Sequence, residues 1–108
     1  MIRPEFAAVV LDVETQNLPE EVGGWGNLRA LKVSVAVTWS SRDASFRQYA
    51  EASLPQLFDE LFAADLVVGF NTKRFDYAVL QPYSSRDLRR LPSLDLLEEI
   101  HRELGFGV

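Results

Sequence analysis

Two apolar stretches, each ending abruptly in polar residues, constrain the fold of this chain more than any other feature. The first, residues 8–15, passes from Ala-Val-Val-Leu into Asp12 and Glu14. The second, residues 66–80, passes from Leu-Val-Val-Gly towards Asp76. Short apolar runs of this kind predict buried strands. The chain would therefore carry carboxylates to the end of a buried sheet.

Composition limits the class of protein. The chain has 108 residues, 47% of them hydrophobic and 25% charged, which predicts one globular domain over residues 1–108. It has no cysteine, so disulfides and thiolate metal sites are excluded and a reducing compartment is compatible. Its start lacks the apolar core of a signal peptide, and no apolar run approaches the roughly 20 residues that span a bilayer. We therefore expect a cytoplasmic protein without a membrane contact.

The net charge of −5 argues against a protein that grips nucleic acid by bulk electrostatics, because that mode needs a surplus of Lys and Arg facing the phosphates. An acidic protein can still hold phosphates through divalent cations bound to its own carboxylates. Charge alone leaves this second mode open.

The first strand is the clearest element. Residues 6–14 are apolar almost without a break until Asp12, which predicts a strand covered on both faces. Because side chains alternate along a strand, Asp12 and Glu14 would lie on the same face, about 7 Å apart. Two carboxylates so placed can share one cation, although two acids at a solvated strand end are the common alternative.

A loop and a hairpin follow. Residues 16–29 predict a long loop, in which Trp25 either touches a ligand or folds back on the core. Residues 45–50 predict the second strand of an antiparallel hairpin at or near a sheet edge. The first strand of that hairpin alternates in polarity, with one apolar face formed by Leu31, Val33, Val35, Val37 and Trp39.

Three helices are predicted. The first opens at Ser53, the predicted cap, with Gln56 three residues on in the pattern of a capping box, and its apolar stripe belongs to the core. The second covers residues 73–81. The third ends at Gly105, after which no closing element follows, and it turns three apolar side chains inward: Leu97, Ile100 and Leu104.

Two further strands complete the sheet. Residues 66–70 are short and apolar and follow a helix, which predicts an interior strand parallel to the first. Residues 93–96 predict a last short strand. This order favours an α/β fold with a mixed sheet, the first strand central, an antiparallel hairpin to one side and flanking helices.

Two motifs resemble a known family. Asp12-Val13-Glu14, followed by Thr15, ends the first strand, and Asn71 precedes Asp76 by five residues in a strand-to-helix passage. Together they resemble the 3′–5′ exonucleases of the ribonuclease H-like superfamily that use three Asp and one Glu (the DEDD type). These include the proofreading domains of family B DNA polymerases and related uncharacterised bacterial domains. The resemblance covers about residues 8–104.

The resemblance implies a two-metal phosphodiester hydrolase that uses Mg²⁺ or Mn²⁺. By resemblance, Asp12 would bridge both metals, Glu14 would bind the metal that holds the attacking water, and Asp76 would support the second metal. Thr15 and Asn71 would contact the substrate, the 3′ end of single-stranded DNA or RNA. Phe75, beside the site in the sequence, is predicted to stack on its terminal base. For Asn71, capping of the next helix is an equal alternative.

Other residues near the second motif have both functional and structural explanations. Phe70 and Trp25 can stack on bases, although aromatic residues are more often core. Five basic residues can receive the phosphate backbone, although a solvated helix face is the more common explanation: Lys73, Arg74, Arg86, Arg89 and Arg90.

The fourth acid of the family pattern has no clear counterpart. Asp87 follows Tyr83 at the family spacing, but it comes in a loop only eleven residues after Asp76. Asp95 resembles the residue that closes the last strand and caps the next helix, and His101 fits no pair. We therefore expect a domain whose C-terminal part, with the fourth acid, is missing, and which has weak or no activity.

Two alternatives stay open. One is a catalytically silent module of the same fold that binds nucleic acid or protein. The other is an unrelated α/β domain that binds a small molecule and whose acids are solvated strand ends. The sequence does not decide the oligomeric state.

Overall fold

A five-stranded mixed sheet organises the part of the chain that the structure describes. The structure is a computed structural model, and it describes residues 5–105. The strands are β1 (Ala8–Thr15), β2 (Val33–Ser40), β3 (Ser45–Ala50), β4 (Leu66–Gly69) and β5 (Ser93–Asp95). Their order is β3-β2-β1-β4-β5. The predicted α/β class, central first strand and edge hairpin are confirmed, and the order is compatible with a ribonuclease H-like fold.

The pairing directions also agree with the prediction. β1 pairs antiparallel with β2 and parallel with β4, and β4 pairs parallel with β5. β2 and β3 form the antiparallel hairpin. β4 is therefore the interior parallel strand that its short apolar sequence indicates.

The helices are α1 (Leu54–Ala63), α2 (Tyr77–Leu80) and α3 (Leu96–Leu104). One π-helical turn, Thr72–Asp76, leads into α2, so the single helix predicted over residues 73–81 is a composite. Short 3-10 segments occupy the connections: Pro19–Val22, Trp25–Ala30, Glu51–Ser53, Gln81–Tyr83 and Leu88–Arg90.

The core lies on one face of the sheet. Val9, Leu11 and Val13 of β1 are buried in one cluster with the apolar stripe of α1 and with α2. The other face of β1 is open, and Val10 on it is 41% exposed. The prediction that the first strand is covered on both faces is wrong, because α1 and α2 both pack against the face of β1 that carries Val9, Leu11 and Val13.

A bulge decides which residues of β2 enter the core. The register of β1 against β2 shifts between Glu14 and Thr15, which leaves an extra residue in β2. Such a bulge reverses the alternation of side chains. Beyond it, Ala36 and Thr38 are fully buried. The predicted apolar face of this strand is therefore wrong beyond the bulge. Three of its predicted members are instead half-buried on the open face of the sheet: Val35, Val37 and Trp39.

The first helix begins where predicted, but the structure at its N-terminus differs from the predicted one. The predicted capping box is not formed, because the Ser53 side chain makes no capping hydrogen bond to any residue in the described range. The chain instead enters α1 from the 3-10 turn Glu51–Ser53, and Pro55 occupies the first turn, where a missing N–H is tolerated.

The third helix is more exposed than predicted. Gly105 ends it in the left-handed region, with φ 74°, as expected. Leu97 is half-buried, but Ile100 is 39% exposed and Leu104 is 51% exposed. The inward orientation predicted for Ile100 and Leu104 is wrong, because no element within residues 5–105 covers that face of α3.

Two further predictions are that no closing element follows Gly105 and that no segment spans a membrane. The expected lack of a closing element after Gly105 concerns residues 106–108, which lie outside the described residues. Within the described part of the chain, no helix is long and apolar enough to cross a bilayer.

Candidate functional site

A cleft of about 320 Å³ opens where β1 ends beside the turn that follows β4. We call it the acid cleft. All six residues predicted for the site line it, together with Val13, Trp25 and Phe70. The six are Asp12, Glu14, Thr15, Asn71, Phe75 and Asp76. Two stretches that are far apart in the sequence therefore meet here.

Asp76 is the buried acid of the cleft, with only 4% of its surface exposed. Its Oδ2 atom accepts a hydrogen bond of 3.0 Å from the backbone N–H of Val13. β4 ends at Gly69, and its pairing with β1 extends only to Val10. The carboxylate of Asp76 thus takes the place of a strand partner beyond the end of β4.

The surroundings of Asp76 favour its protonated form. Burial is the largest cause and raises the pKa of Asp76 to about 7, against the lowering effect of the hydrogen bond from Val13. The negative charges of Asp12 and Asp95 raise the same pKa further. Acids that crowd one another in this way create a local excess of negative charge, which a bound cation would relieve.

Asp12 and Glu14 are exposed on the open face of β1, on the same side of the strand as predicted. Among residues 5–105, no three His, Cys, Asp or Glu side chains are grouped so that they could hold a metal ion as they stand. The cleft therefore gathers the three predicted acids without assembling a finished ligand cluster. Its carboxylate, amide and hydroxyl oxygens have the donor chemistry that Mg²⁺ and Mn²⁺ require.

Asp95 fixes the turn that carries Asn71. Asn71 lies in the left-handed region, with φ 57° and ψ 28°, which Asn tolerates better than most residues. The carboxylate of Asp95 accepts the backbone N–H groups of Asn71 at 2.8 Å, Lys73 at 3.1 Å and Leu97 at 3.1 Å. The side chain of Asn71 makes no capping hydrogen bond to any described residue. The capping alternative for Asn71 is therefore not supported.

Sequence reasoning assigned Asp95 only to the cap of α3, which is confirmed, and missed its hold on the Asn71 turn. A usable signal was present in the strand register. Asp95 pairs with Gly69 across β4 and β5, so an acid there stands beside the turn that leaves β4.

Gly69 lets the π-helical turn lie close to β1. A Cβ atom at Gly69 would clash with the Oγ1 atom of Thr72 and would approach the carbonyl oxygen of Leu11 to 3.2 Å. Thr72 is 1% exposed, and its hydroxyl has no hydrogen-bond partner within residues 5–105. Close backbone approach at Gly69 is what allows Asp76 to reach β1.

Aromatic surfaces border the acid cleft. The rings of Trp25 and Phe75 lie 5.6 Å apart at an angle of 52°, and the Arg74 guanidinium lies 5.2 Å from the centre of the Trp25 ring. Trp25 is 49% exposed and Phe70 is 57% exposed. Trp25 thus packs back onto Phe75 and also presents an exposed surface, and its contact with a ligand stays a prediction.

A fourth acid is not supplied to the cleft by any residue from 5 to 105. Asp87 lies elsewhere, where it caps the segment Leu88–Arg90 and pairs with Arg89 at 3.0 Å. The carboxylate of Asp95 is occupied by backbone N–H groups. His101 lies on α3, which does not line the cleft.

Among the known proteins compared, solved structures resemble this chain, whereas sequence families do not. No family model matches the chain, and no curated protein matches it. The family B DNA polymerase from the hyperthermophilic archaeon Pyrobaculum calidifontis is similar in structure, with a TM-score of 0.49 and 19% identity. The similarity covers 95% of this chain and 12% of the polymerase chain, so this chain spans about an eighth of the polymerase.

Proposed function

We propose that this chain is a nucleic-acid-binding domain of the 3′–5′ exonuclease type, which holds a divalent cation and the 3′ end of a single strand in the acid cleft. The observation that carries the proposal is the lining of that cleft. Three acids and three residues that the resemblance assigns to substrate come from two distant stretches and share one depression.

The three acids divide into a buried one and two exposed ones. Asp76 is held against β1, while Asp12 and Glu14 stand at the open face of the strand. Together they would hold Mg²⁺ or Mn²⁺, which when bound supplies an activated water and stabilises the leaving 3′ oxygen. Asp76 must release its proton before its carboxylate can act as a ligand.

The aromatic residues at the border of the acid cleft suit the bases of the bound strand. Base stacking on an aromatic ring tolerates every base, because each base has a π-face. Trp25 and Phe70 both offer exposed rings beside the acids. The Phe75 ring packs against the Trp25 ring, with 5.6 Å between their centres, and Asn71 lines the same cleft.

A specific observation favours a second candidate function. The described residues form no group of three metal-ligating side chains as they stand, and none supplies a fourth acid to the cleft. A catalytically silent module of the same fold, which binds single strands without cleaving them, accounts for this arrangement. If the chain is such a module, it should bind single strands tightly and hydrolyse them weakly or not at all.

Trp25 provides the reporter for a direct test. In a Trp39→Phe background, Trp25 is the remaining tryptophan, and its fluorescence is followed while a short single-stranded oligonucleotide is added with and without Mn²⁺. We expect quenching that strengthens with Mn²⁺. The effect of Mn²⁺ disappears with Asp12→Asn and persists with Asp59→Asn, which changes an exposed acid on α1 outside the cleft. Equal binding in all three proteins would contradict the proposal.

Hydrolysis of an end-labelled oligonucleotide in the same samples separates the two candidates. Shortening from the 3′ end that requires Asp12 supports the exonuclease. Binding without shortening supports the silent module.

A further inference from the structure

A second cleft, of about 440 Å³, lies beside the same π-helical turn. We call it the basic cleft. Its charged lining residues are Arg29, Lys73, Asp87 and Arg89. Three cations against one anion are unusual in a chain whose net charge is −5, and the proposed function leaves this cleft without a role.

The cations of the basic cleft are available to an anionic ligand. Arg89 pairs with Asp87 at 3.0 Å and Lys73 pairs with Glu98 at 3.0 Å, and all four side chains are well exposed. Exposed pairs of this kind contribute little free energy, so a phosphate can replace the carboxylates. Arg29 is exposed and makes no ion pair with any residue between 5 and 105.

The same two segments line both clefts. The segment Trp25–Ala30 contributes Trp25 to the acid cleft and Arg29 to the basic cleft. The π-helical turn contributes Phe75 to the first and Lys73 to the second. Arg74 follows Lys73 on that turn, and its guanidinium lies 5.2 Å from the centre of the Trp25 ring, which lines the acid cleft. A strand that leaves the acid cleft along these two segments therefore meets positive charge.

We propose that the basic cleft binds the backbone phosphates of the same single strand whose 3′ end lies in the acid cleft. Arginine suits this role because its guanidinium donates two parallel hydrogen bonds to phosphate oxygens. Contacts to phosphates position a strand without reading its sequence. The proposal rests on the proposed function, and it adds a binding surface on the internal side of the terminal nucleotide.

The test compares two lengths of labelled single strand without metal. A 5′-labelled dinucleotide and a 5′-labelled octanucleotide are titrated in EDTA over a salt series, with binding followed by fluorescence anisotropy. The variant Arg29→Ala/Arg89→Ala removes two cations of the basic cleft. The matched control, Arg42→Ala/Arg47→Ala, removes two exposed cations of the hairpin, which line neither cleft.

We expect the octanucleotide to bind more weakly to Arg29→Ala/Arg89→Ala, with a salt slope smaller by about 1.4, roughly 0.7 for each lost phosphate contact. The control variant should keep the wild-type slope, and the dinucleotide, which offers too few phosphates to the basic cleft, should bind only weakly to all three proteins in EDTA. Equal slopes for the two variants, or an octanucleotide that wild type does not bind in EDTA, would overturn the proposal. The proposal would also be overturned if inorganic tripolyphosphate displaced the octanucleotide and bound with the same affinity, because that result would indicate a simple anion site.

The design keeps the two proposals apart. The EDTA titration reports on the basic cleft alone, because no metal can bridge the acids to the strand. Adding Mn²⁺ to wild type and to Asp12→Asn reports on the acid cleft. Suppose that Arg29→Ala/Arg89→Ala weakens octanucleotide binding in EDTA, but that Mn²⁺ changes binding to neither wild type nor Asp12→Asn. The proposed function would then be overturned, whereas the basic cleft would still bind the strand.

Discussion

The Oδ2 atom of Asp76 and the backbone nitrogen of Val13 lie 3.0 Å apart. This hydrogen bond joins the turn after β4 to the end of β1, where Asp12 and Glu14 are exposed on either side of Val13. It keeps a buried carboxyl group next to two solvent-facing ones. The acid chemistry of the cleft therefore depends on a backbone contact that the motifs do not reveal.

The burial of Asp76 should make the stability of the protein depend on pH. Its folded-state pKa is raised from 3.8 to about 7, so the native state binds the proton more tightly than the unfolded state. The stabilisation from this proton is complete below about pH 3.8 and is lost as the pH rises through 7. With Asp76→Asn, the free energy of unfolding should exceed that of wild type at pH 8, by an amount on the order of 4 kcal/mol.

Denaturant unfolding of both proteins at pH 4 and pH 8 provides the measurement, and the two should agree near pH 4. Asp59→Asn is the control, because it removes an exposed acid and should leave the pH dependence unchanged. If the difference in unfolding free energy between wild type and Asp76→Asn is the same at pH 4 and pH 8, Asp76 is not a buried, protonated acid.

Binding of Mn²⁺ should be linked to the same proton. A metal ligand must be deprotonated, so the affinity for Mn²⁺ should rise by up to about tenfold per pH unit below pH 7 and level off above it. Calorimetric titration in two buffers of different ionisation enthalpy should detect release of close to one proton at pH 6. An affinity that is flat between pH 5 and pH 8 would exclude Asp76 as a ligand.

Replacing Asp95 should disturb both the fold and the site. Asp95→Ala leaves three backbone N–H groups without their acceptor, and we expect a loss of about 3 kcal/mol of unfolding free energy. Asp87→Ala is the matched control, since it removes an exposed cap and should cost less than about 1 kcal/mol. Equal losses in the two variants, measured by urea unfolding, would contradict a clamping role for Asp95.

Gly69→Ala should be destabilising because the new methyl group has no room. Its Cβ atom would clash with the Thr72 hydroxyl, and we expect a loss of about 1–3 kcal/mol. Thr72→Ala alone should cost less than that, because the hydroxyl it removes has no partner among the described residues. In the double variant part of the loss should be recovered, with a coupling of about 1 kcal/mol. Strictly additive losses would show that the clash is not with Thr72.

The sequence was sufficient for the elements and for the lining of the acid cleft, because both depend on local patterns. Apolar runs indicated β1 and β4, and parallel pairing of these strands brings their ends together. Asp12 and Glu14 lie in the C-terminal half of β1 and Asp76 follows β4, so their meeting in one cleft could be predicted from the strand pattern together with the family resemblance.

The exposure of particular faces could not be predicted in the same way. One extra residue in β2, opposite Glu14 and Thr15, moved Ala36 and Thr38 into the core and left Trp39 on the open face. The bulge leaves no mark in the sequence, because apolar residues continue to alternate through it at positions 31, 33, 35, 37 and 39. Likewise, the apolar stripe of α3 indicated a buried face, although Leu104 is 51% exposed, because a stripe does not say what packs against it.

The most direct test of the account is a Mn²⁺ titration followed by the backbone amide signals in NMR, on wild type and on Asp12→Asn. A metal bound by the three acids should selectively broaden the amides of residues 12–15, 71 and 75–76, and this broadening should disappear in Asp12→Asn. Uniform broadening, or the same selective broadening in both proteins, would contradict a metal site formed by Asp12, Glu14 and Asp76.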